Sequence, residues 1–226
     1  MTVPFYVPPE QLVQDRADFA RKGVARGRPI VAVALGGGIL MVGENSSPAL
    51  RKIGEVYDRI GFAGVGRFNE FETLRVAGVR YADLKGYSYA RDDVTAKGLA
   101  NAYSQTLGQI FSQEVKPYEV DIVVAELGST ADIDQLFRIQ FDGTLRDSGT
   151  FAVLGAGEDE IAEGLGESPV SGMDLPEAFA SVCEAIEQAA DRDIADEDWE
   201  TGFLDRSSGR RTFRRLSLEE VSAARA

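Results

Sequence analysis

An amphipathic helix is predicted near the start of the chain, ahead of any strand. Pro8, Pro9 and Glu10 indicate where it begins, because proline is tolerated in the first turn and an acidic side chain suits the positive end of the helix dipole. Its apolar positions recur at helical spacing and are Val13, Ala17, Ala20 and Val24. Gly23 is the predicted breaker at the C-terminal end of this helix.

A β-hairpin follows this helix almost at once. Ile30–Leu35 is an apolar run typical of a buried strand, three consecutive glycines at 36–38 indicate a turn, and Ile39–Val42 predicts the return strand. This order constrains the fold because the first strand cannot begin at the N-terminus of the chain. A terminal amine therefore cannot lie at the start of that strand.

The charge and the missing residue types exclude several classes of protein. The 226 residues carry 24 basic and 37 acidic side chains and a net charge of −13, which argues against nucleic acid as a main partner because phosphate binding relies on Lys and Arg. The chain has no histidine, which excludes Ser-His-Asp and Cys-His nucleophiles and His-containing zinc sites. The single cysteine, Cys183, excludes an internal disulfide, fits a reducing compartment and is expected to pack in the core.

One domain is expected, because nothing resembles a linker before two charged segments near the C-terminus. Asp191–Glu200 holds six acidic residues, and Arg206–Arg215 holds five arginines and no acid. Both are predicted to be solvated surface, and contact between the arginines and a neighbour's acidic segment is the alternative. The chain shows no apolar run of signal-peptide or membrane-spanning length, so a soluble cytoplasmic protein is expected.

Beyond the hairpin, the pattern predicts pairs of helices between blocks of mainly antiparallel strands. The predicted elements are a strand over Tyr57–Val65, helices from Asn69 and after Asp93, strands over Val120–Glu126, Leu136–Phe141 and Thr150–Leu154, helices over Glu158–Glu167 and from Asp174, a hairpin of Trp199–Leu204 and Thr212–Leu216, and a last helix with a Ser217/Glu220 capping box. The pattern alone indicates a layered α+β fold and does not fix the number of layers.

Several collinear stretches resemble the α subunits of actinobacterial 20S proteasomes. These stretches are Pro9–Gln11, Asp18–Gly27, Leu50–Ala63, Arg67–Phe71, Leu99–Tyr103 and Lys116–Val120. The resemblance implies an α+β, four-layer αββα sandwich, the N-terminal-nucleophile hydrolase fold, with an extra N-terminal helix. It implies a single domain over residues 1–226, with a gate tail at 1–7, the helix at 9–23 and a charged C-terminal region at 191–226, which resembles the family least.

The same resemblance implies a non-catalytic subunit of the 20S proteasome core. Such subunits form the outer heptameric rings, gate the passage of substrates and dock a regulatory ATPase, and so support ATP-dependent protein degradation. The implied partners are β subunits that hold the threonine active sites, other copies of this chain, the C-termini of an AAA ATPase ring, and unfolded, tagged protein substrates. No cofactor, no metal, no nucleic acid and no membrane are expected among its ligands and partners.

Lys52 is the leading candidate for a binding residue. The resemblance places it in a pocket between neighbouring subunits that receives the C-terminal carboxylate of the ATPase, and an ammonium on a flexible stem suits that task. It also places Gly27 and Val65 in this pocket, where Gly27 permits close approach of backbones and Val65 supplies an apolar wall. The alternatives are a surface pair between Lys52 and Glu55, and plain packing roles for Gly27 and Val65.

The first seven residues are the candidate gate. They are short, mostly apolar and marked by proline, and the gate residues are Thr2, Val3, Pro4, Phe5, Tyr6 and Val7. In the resembled family such tails converge on the ring axis and obstruct substrate passage. A disordered terminus is the alternative.

Two other classes of function compete with this interpretation. Removal of Met1 would expose Thr2 as an N-terminal nucleophile, which would make the chain an active peptidase or amidase. Against this, the strand that would have to begin with the nucleophile starts after Arg28 and Pro29, and proline has neither a hydroxyl nor a primary amine. A stand-alone binding domain with the same fold is the third hypothesis.

Overall fold

Two antiparallel sheets with helices on both outer faces make up the computed structural model, which describes residues 8–47, 49–167 and 170–225. The strands are β1 (Ile30–Leu35), β2 (Gly38–Glu44), β3 (Ile53–Tyr57), β4 (Ile60–Gly66), β5 (Val120–Glu126), β6 (Gln135–Ile139), β7 (Leu145–Asp147), β8 (Phe151–Leu154), β9 (Trp199–Asp205) and β10 (Phe213–Arg214). The helices are α1 (Pro9–Val24), α2 (Phe68–Ser88), α3 (Ala96–Gln113), α4 (Glu158–Glu167), α5 (Leu175–Ala190) and α6 (Leu218–Arg225).

The strands divide into two five-stranded sheets. The first sheet has the order β10-β9-β2-β1-β8, and the second has the order β3-β4-β5-β6-β7. The predicted opening hairpin pairs β1 with β2 from Ile30 opposite Gly43 to Leu35 opposite Gly38. Every neighbouring pair of strands in the described ranges is antiparallel.

An apolar layer joins the inner faces of the two sheets. Ile30 and Met41 of the first sheet pack in one buried cluster with Ala63 and Val123 of the second. Because side chains alternate between the faces of a strand, the residues between these positions point outward and need a second cover. Among the described residues, the inner layer is accordingly one of three apolar clusters.

Helices provide that cover on both sides. On the first sheet, Val31 and Leu40 pack against Phe179 and Val182 of α5. On the second sheet, α2 and α3 cover the outer face with residues that include Phe71, Leu74, Leu99 and Leu107. The order of layers is helices, sheet, sheet, helices, which confirms the predicted four-layer αββα sandwich.

The N-terminal helix α1 closes one end of this sandwich. It packs against β4 and β5, and Ala20 and Val24 join the layer between the sheets. Val13, which was predicted to share this face, is instead half exposed. Gly23 does not end the helix, because the last residue of α1 is Val24; a Cβ at Gly23 would overlap the Glu119 side chain, so this glycine serves close packing.

Two further sequence predictions needed correction. The strand predicted over Tyr57–Val65 corresponds to β4, which begins only at Ile60; Tyr57 is the last residue of a separate strand, β3, which was missed, and the chain turns at Asp58 and Arg59. The short edge strand β7 was missed altogether. In contrast, the predicted caps formed: Asp174 accepts a hydrogen bond from Glu177 N at 3.0 Å, and Ser217 and Glu220 make a reciprocal capping box at the start of α6.

Candidate functional site

Gly27 lies in the connection between α1 and β1, pressed against the end of β4. Its N–H donates to the carbonyl oxygen of Val24 at 2.8 Å, and its own carbonyl oxygen accepts from Ala156 N at 2.9 Å. A Cβ atom at position 27 would overlap Cγ1 of Val65. The backbone can therefore approach β4 this closely only because residue 27 has no side chain.

Val65 supports this contact from inside the sandwich. Its side chain is 1% exposed and belongs to the apolar layer between the sheets. Gly155, in the turn between β8 and α4, has a φ of +100°, and a Cβ there would lie 3.1 Å from the same Cγ1 atom. Val65 thus forms an apolar floor beneath two backbone segments, and in the single chain it offers no exposed wall.

Lys52 lies just before β3, beside the same end of β4. Its carbonyl oxygen accepts a hydrogen bond from Gly64 N at 3.1 Å, which places Lys52 next to the residue that precedes Val65. The Lys52 ammonium donates to the carbonyl oxygen of Glu44 at 2.9 Å. The three predicted pocket residues therefore gather at one end of the sandwich, although they come from three separate segments.

The surface pair between Lys52 and Glu55 does not form. Glu55 instead accepts from Arg211 at 2.8 Å, while the Lys52 ammonium faces Glu44. The alternative interpretation of Lys52 as half of this pair is wrong.

The environment of Lys52 lowers the pKa of its ammonium group. Burial, and secondarily the positive charge of Arg28, lower the pKa of Lys52 from 10.5 to about 8, while the Glu200 and Glu44 carboxylates act in the opposite direction. The side chain is therefore charged at neutral pH but close to losing that charge. A half-buried ammonium of this kind gains from an incoming carboxylate, because the added negative charge favours the protonated form.

Two buried glutamates surround Lys52, and the sequence analysis identified neither. Glu44 is 3% exposed and pairs with Arg28 at 2.7 Å and with Arg192 at 2.5 Å. Glu200 is 2% exposed, so the expectation that the whole acidic segment is solvated is wrong at this residue. A usable signal was present, because Glu200 falls inside a predicted strand that also contains Trp199, Phe203 and Leu204, and an unpaired charge buried in such a strand would be costly.

The arginine-rich segment pairs with acids of its own chain. The ion pairs are Arg206–Asp134, Arg210–Asp58, Arg211–Glu55, Arg214–Asp205 and Arg215–Glu200. The pairs made by Arg206, Arg210 and Arg211 fasten the connection after β9 to the second sheet and its turns, whereas Arg214 and Arg215 pair with acids of β9 in the first sheet. Contact with a neighbour's acidic segment stays an untested alternative.

The start of β1 holds no group capable of nucleophilic chemistry. Pro29 precedes Ile30, the first residue of the strand, and Arg28 before it pairs with Glu44. Thr2 lies outside the described residues, as do the other predicted gate residues, Val3 to Val7. Cys183 packs in the core as predicted, and burial raises the pKa of its thiol to about 12.

Neither metal binding nor membrane insertion finds support in the described ranges. Among those residues, no group of three or more His, Cys, Asp or Glu side chains is arranged to hold a metal ion. None of the helices described there combines the length and apolar character needed to cross a bilayer.

Comparison with known proteins identifies the class to which this fold and site belong. The family model described as "Proteasome subunit" matches residues 24–200, from the last residue of α1 to the second residue of β9. This match covers the two sheets apart from most of β9 and all of β10, and it includes Gly27, Lys52 and Val65. The chain belongs to the proteasome subunit family.

Individual relatives narrow the assignment within that family. A protein named proteasome subunit alpha from Kineococcus radiotolerans is 54% identical over 225 residues, covering 96% of this chain and 95% of the relative. Proteins of the same name from Thermomonospora curvata and Nocardioides sp. are 51% and 52% identical, covering 98% and 100% of this chain and 96% and 91% of the relatives. The chain is of the α type, the non-catalytic class of subunit, so the prediction that it is not a peptidase by itself is confirmed.

Proposed function

We propose that the end of the sandwich around Lys52 docks the C-terminal carboxylate of a regulatory ATPase. The observation that carries this proposal is the position of the ammonium: it is half-buried, held by the Glu44 carbonyl oxygen, and close to the exposed guanidinium of Arg28. A carboxylate arriving there would meet the Lys52 ammonium in a partly desolvated setting, beside an Arg28 guanidinium that already pairs with Glu44 at 2.7 Å. Charge-assisted hydrogen bonds are strongest under those conditions.

Gly27 and Val65 would shape this pocket rather than bind the ligand through their side chains. Gly27 allows the connection between α1 and β1 to pack closely against β4, and the Val65 side chain lies beneath that connection. A neighbouring copy of the chain would complete the pocket in a seven-membered ring. The ring would stack on β subunits that carry the threonine active sites, in the cytoplasm, and degradation of unfolded, tagged proteins would be the work of the whole assembly.

The tail of residues 1–7 would act as the gate of that ring. It directly precedes α1, whose first residue is Pro9, so a ring would carry one apolar tail for each copy of α1. Phe5 and Tyr6 are the residues best suited to obstruct a passage, because their rings are large and rigid. ATPase docking beside α1 would then act on the segment that leads directly into the gate.

Co-expression with a β subunit tests the assembly. Electron microscopy should reveal four stacked rings, with this chain in the outer two. A chain that stays monomeric and does not bind the β subunit would favour a stand-alone binding domain and overturn the proposed ring.

Binding of a peptide that copies the ATPase C-terminus tests the docking site on that assembly. Losing one partner of a buried charge pair typically costs about 2–5 kcal/mol, so Lys52→Ala should weaken peptide binding more than tenfold. Lys97→Ala is the matched control, because Lys97 is an exposed lysine on α3. Equal affinities for the wild type, Lys52→Ala and Lys97→Ala would show that the carboxylate is held elsewhere.

A further inference from the structure

We propose that Glu200 is the positioning residue for Lys52, because it fixes the backbone from which the Lys52 side chain extends. This inference rests on the proposed docking role of Lys52. It concerns a residue of β9, in the first sheet, that acts on a residue next to β3, in the second sheet.

The backbone contacts are the first support. One carboxylate oxygen of Glu200 accepts from Lys52 N at 3.0 Å, and the other accepts from Ile53 N at 3.1 Å. A single side chain thereby holds two successive amides at the point where β3 begins. Lys52 cannot shift along or away from β4 without breaking one of these bonds.

The contacts behind the carboxylate are the second support. Asn45 donates from its side-chain amide to Glu200 at 2.6 Å and to the carbonyl oxygen of Leu50 at 2.7 Å. Arg215 donates to Glu200 at 3.2 Å and to the carbonyl oxygen of Ile53 at 2.7 Å. The carboxylate thus lies at the centre of a network that includes both ends of the connection between β2 and β3.

The charge of Glu200 is the third support. The groups acting on the Lys52 ammonium are Arg28, before β1, Glu44, at the end of β2, and Glu200 on β9. Arg28 and burial favour loss of the proton, and the two carboxylates favour its retention. Both carboxylates also pair with arginines, Glu44 with Arg28 and Arg192 and Glu200 with Arg215, but Glu200 does more than Glu44 to keep Lys52 charged.

Glu126 provides a matched control for the general cost of altering a buried glutamate. It is 8% exposed, accepts from Ala96 N at 2.6 Å and pairs with Arg59 at 3.0 Å, so it too ties down a backbone amide and an arginine. It lies opposite Ile60, at the end of β4 remote from Val65. A purely structural defect should look alike in Glu126→Gln and Glu200→Gln.

The test compares Glu200→Gln, Glu200→Asp, Glu126→Gln and Lys52→Ala in the assembled barrel, with the ATPase C-terminal peptide as the probe. Glu200→Gln should weaken peptide binding about tenfold and lower the pH at which binding is lost, since the amide carries no charge and turns a donor toward existing donors. Glu200→Asp retains the charge but not the reach, so it should weaken binding while leaving that pH unchanged. Glu126→Gln should leave both quantities at their wild-type values.

A second measurement reports on Lys52 without the peptide. The rate at which trace acetic anhydride labels Lys52, followed by mass spectrometry across pH, should give a lower midpoint in Glu200→Gln than in the wild type. If Lys52→Ala weakens docking but Glu200→Gln matches Glu126→Gln in both measurements, the positioning role is wrong. If Lys52→Ala leaves docking intact, the proposed function fails instead. A labelling midpoint in Glu200→Gln equal to that of the wild type would show that the charge of Glu200 does not influence the protonation of Lys52.

Discussion

Val65 fills the space into which a side chain at Gly27 would project, with its Cγ1 atom where a Cβ would have to lie. This contact joins the connection after the N-terminal helix to the core between the sheets. It should also make the proposed docking pocket sensitive to the smallest possible change in side chain, because the neighbour of Gly27 is a fully buried residue.

Gly27→Ala should therefore destabilise the chain and weaken docking together. Overpacking of this kind typically costs about 1–3 kcal/mol, and the backbone shift that relieves it would move the loop away from Lys52. Thermal unfolding and peptide binding are the two measurements. Gly36→Ala is the control, since a Cβ there meets open space.

The double variant Gly27→Ala with Val65→Ala makes the physical cause testable. Shortening Val65 removes the atom that the new methyl group would strike, so the double variant should recover part of the docking affinity lost in Gly27→Ala alone. Additive losses would mean that the steric explanation is incorrect.

The pH dependence of docking should follow the ionisation of Lys52. Its pKa is lowered to about 8, so the ammonium is present below that pH and is lost as the pH rises through it. Peptide affinity should accordingly decline in mildly alkaline solution, at a lower pH than an ordinary lysine would give. Isothermal calorimetry between pH 6.5 and 9.5, roughly bracketing that value, measures the profile.

Lys52→Arg separates charge from shape in the same experiment. The guanidinium stays protonated throughout this range, but it is planar and differs in reach from an ammonium. We expect weaker docking than in the wild type and no decline near pH 8. If the peptide affinity of the wild type is also independent of pH in this range, docking does not depend on the charge of Lys52.

Deleting residues 1–7 should speed the hydrolysis of peptides by an assembled barrel. The chemistry at the β subunits would be unaltered, so inhibitor labelling of their threonines should remain at its wild-type rate. Lys52→Ala in the full-length chain should not reproduce the acceleration. Equal peptide hydrolysis by truncated and full-length barrels would rule out a gating tail.

The isolated chain should show no peptide hydrolysis. Pro29 and Ile30 occupy the start of β1, so no hydroxyl is available where an N-terminal nucleophile would have to act. A fluorogenic peptide assay on chain purified free of β subunits measures this. Activity that persists there and disappears in Thr2→Ala would contradict the assignment of Thr2 to the tail.

The sequence predicted the bounds of an element well where an apolar run or a helical period stood between residues that break secondary structure. The bounds of β1, β5 and α4 agree with the prediction, because each is an apolar run or periodic segment between clear breakers. The hairpin of β3 and β4 was missed because Asp58 and Arg59 turn the chain without glycine or proline. Strand β7 was missed because it is a short edge strand with mostly exposed side chains.

The pocket was predicted only as far as family resemblance reached. Lys52, Gly27 and Val65 were identified from their local contexts, and the structure brings them to one end of the sandwich. Glu44 and Glu200 were not identified as neighbours of Lys52, because their roles depend on contacts with segments distant in sequence. Glu200, for example, accepts a hydrogen bond from Lys52 N across 148 positions. Composition described Glu200 as one acid among six, whereas its burial comes from tertiary packing.

The hydrogen bonds along the free edge of β3 have a consequence for the life of the chain outside an assembly. Arg215 donates a hydrogen bond to the carbonyl oxygen of Ile53, and Glu200 accepts one from the N–H of Ile53. Arg75 donates to the carbonyl oxygen of Glu55 at 3.4 Å. An open strand edge invites a foreign strand to pair with it, and these side chains leave few groups free for such pairing. We therefore expect a subunit outside an assembly to be less prone to aggregate through β3.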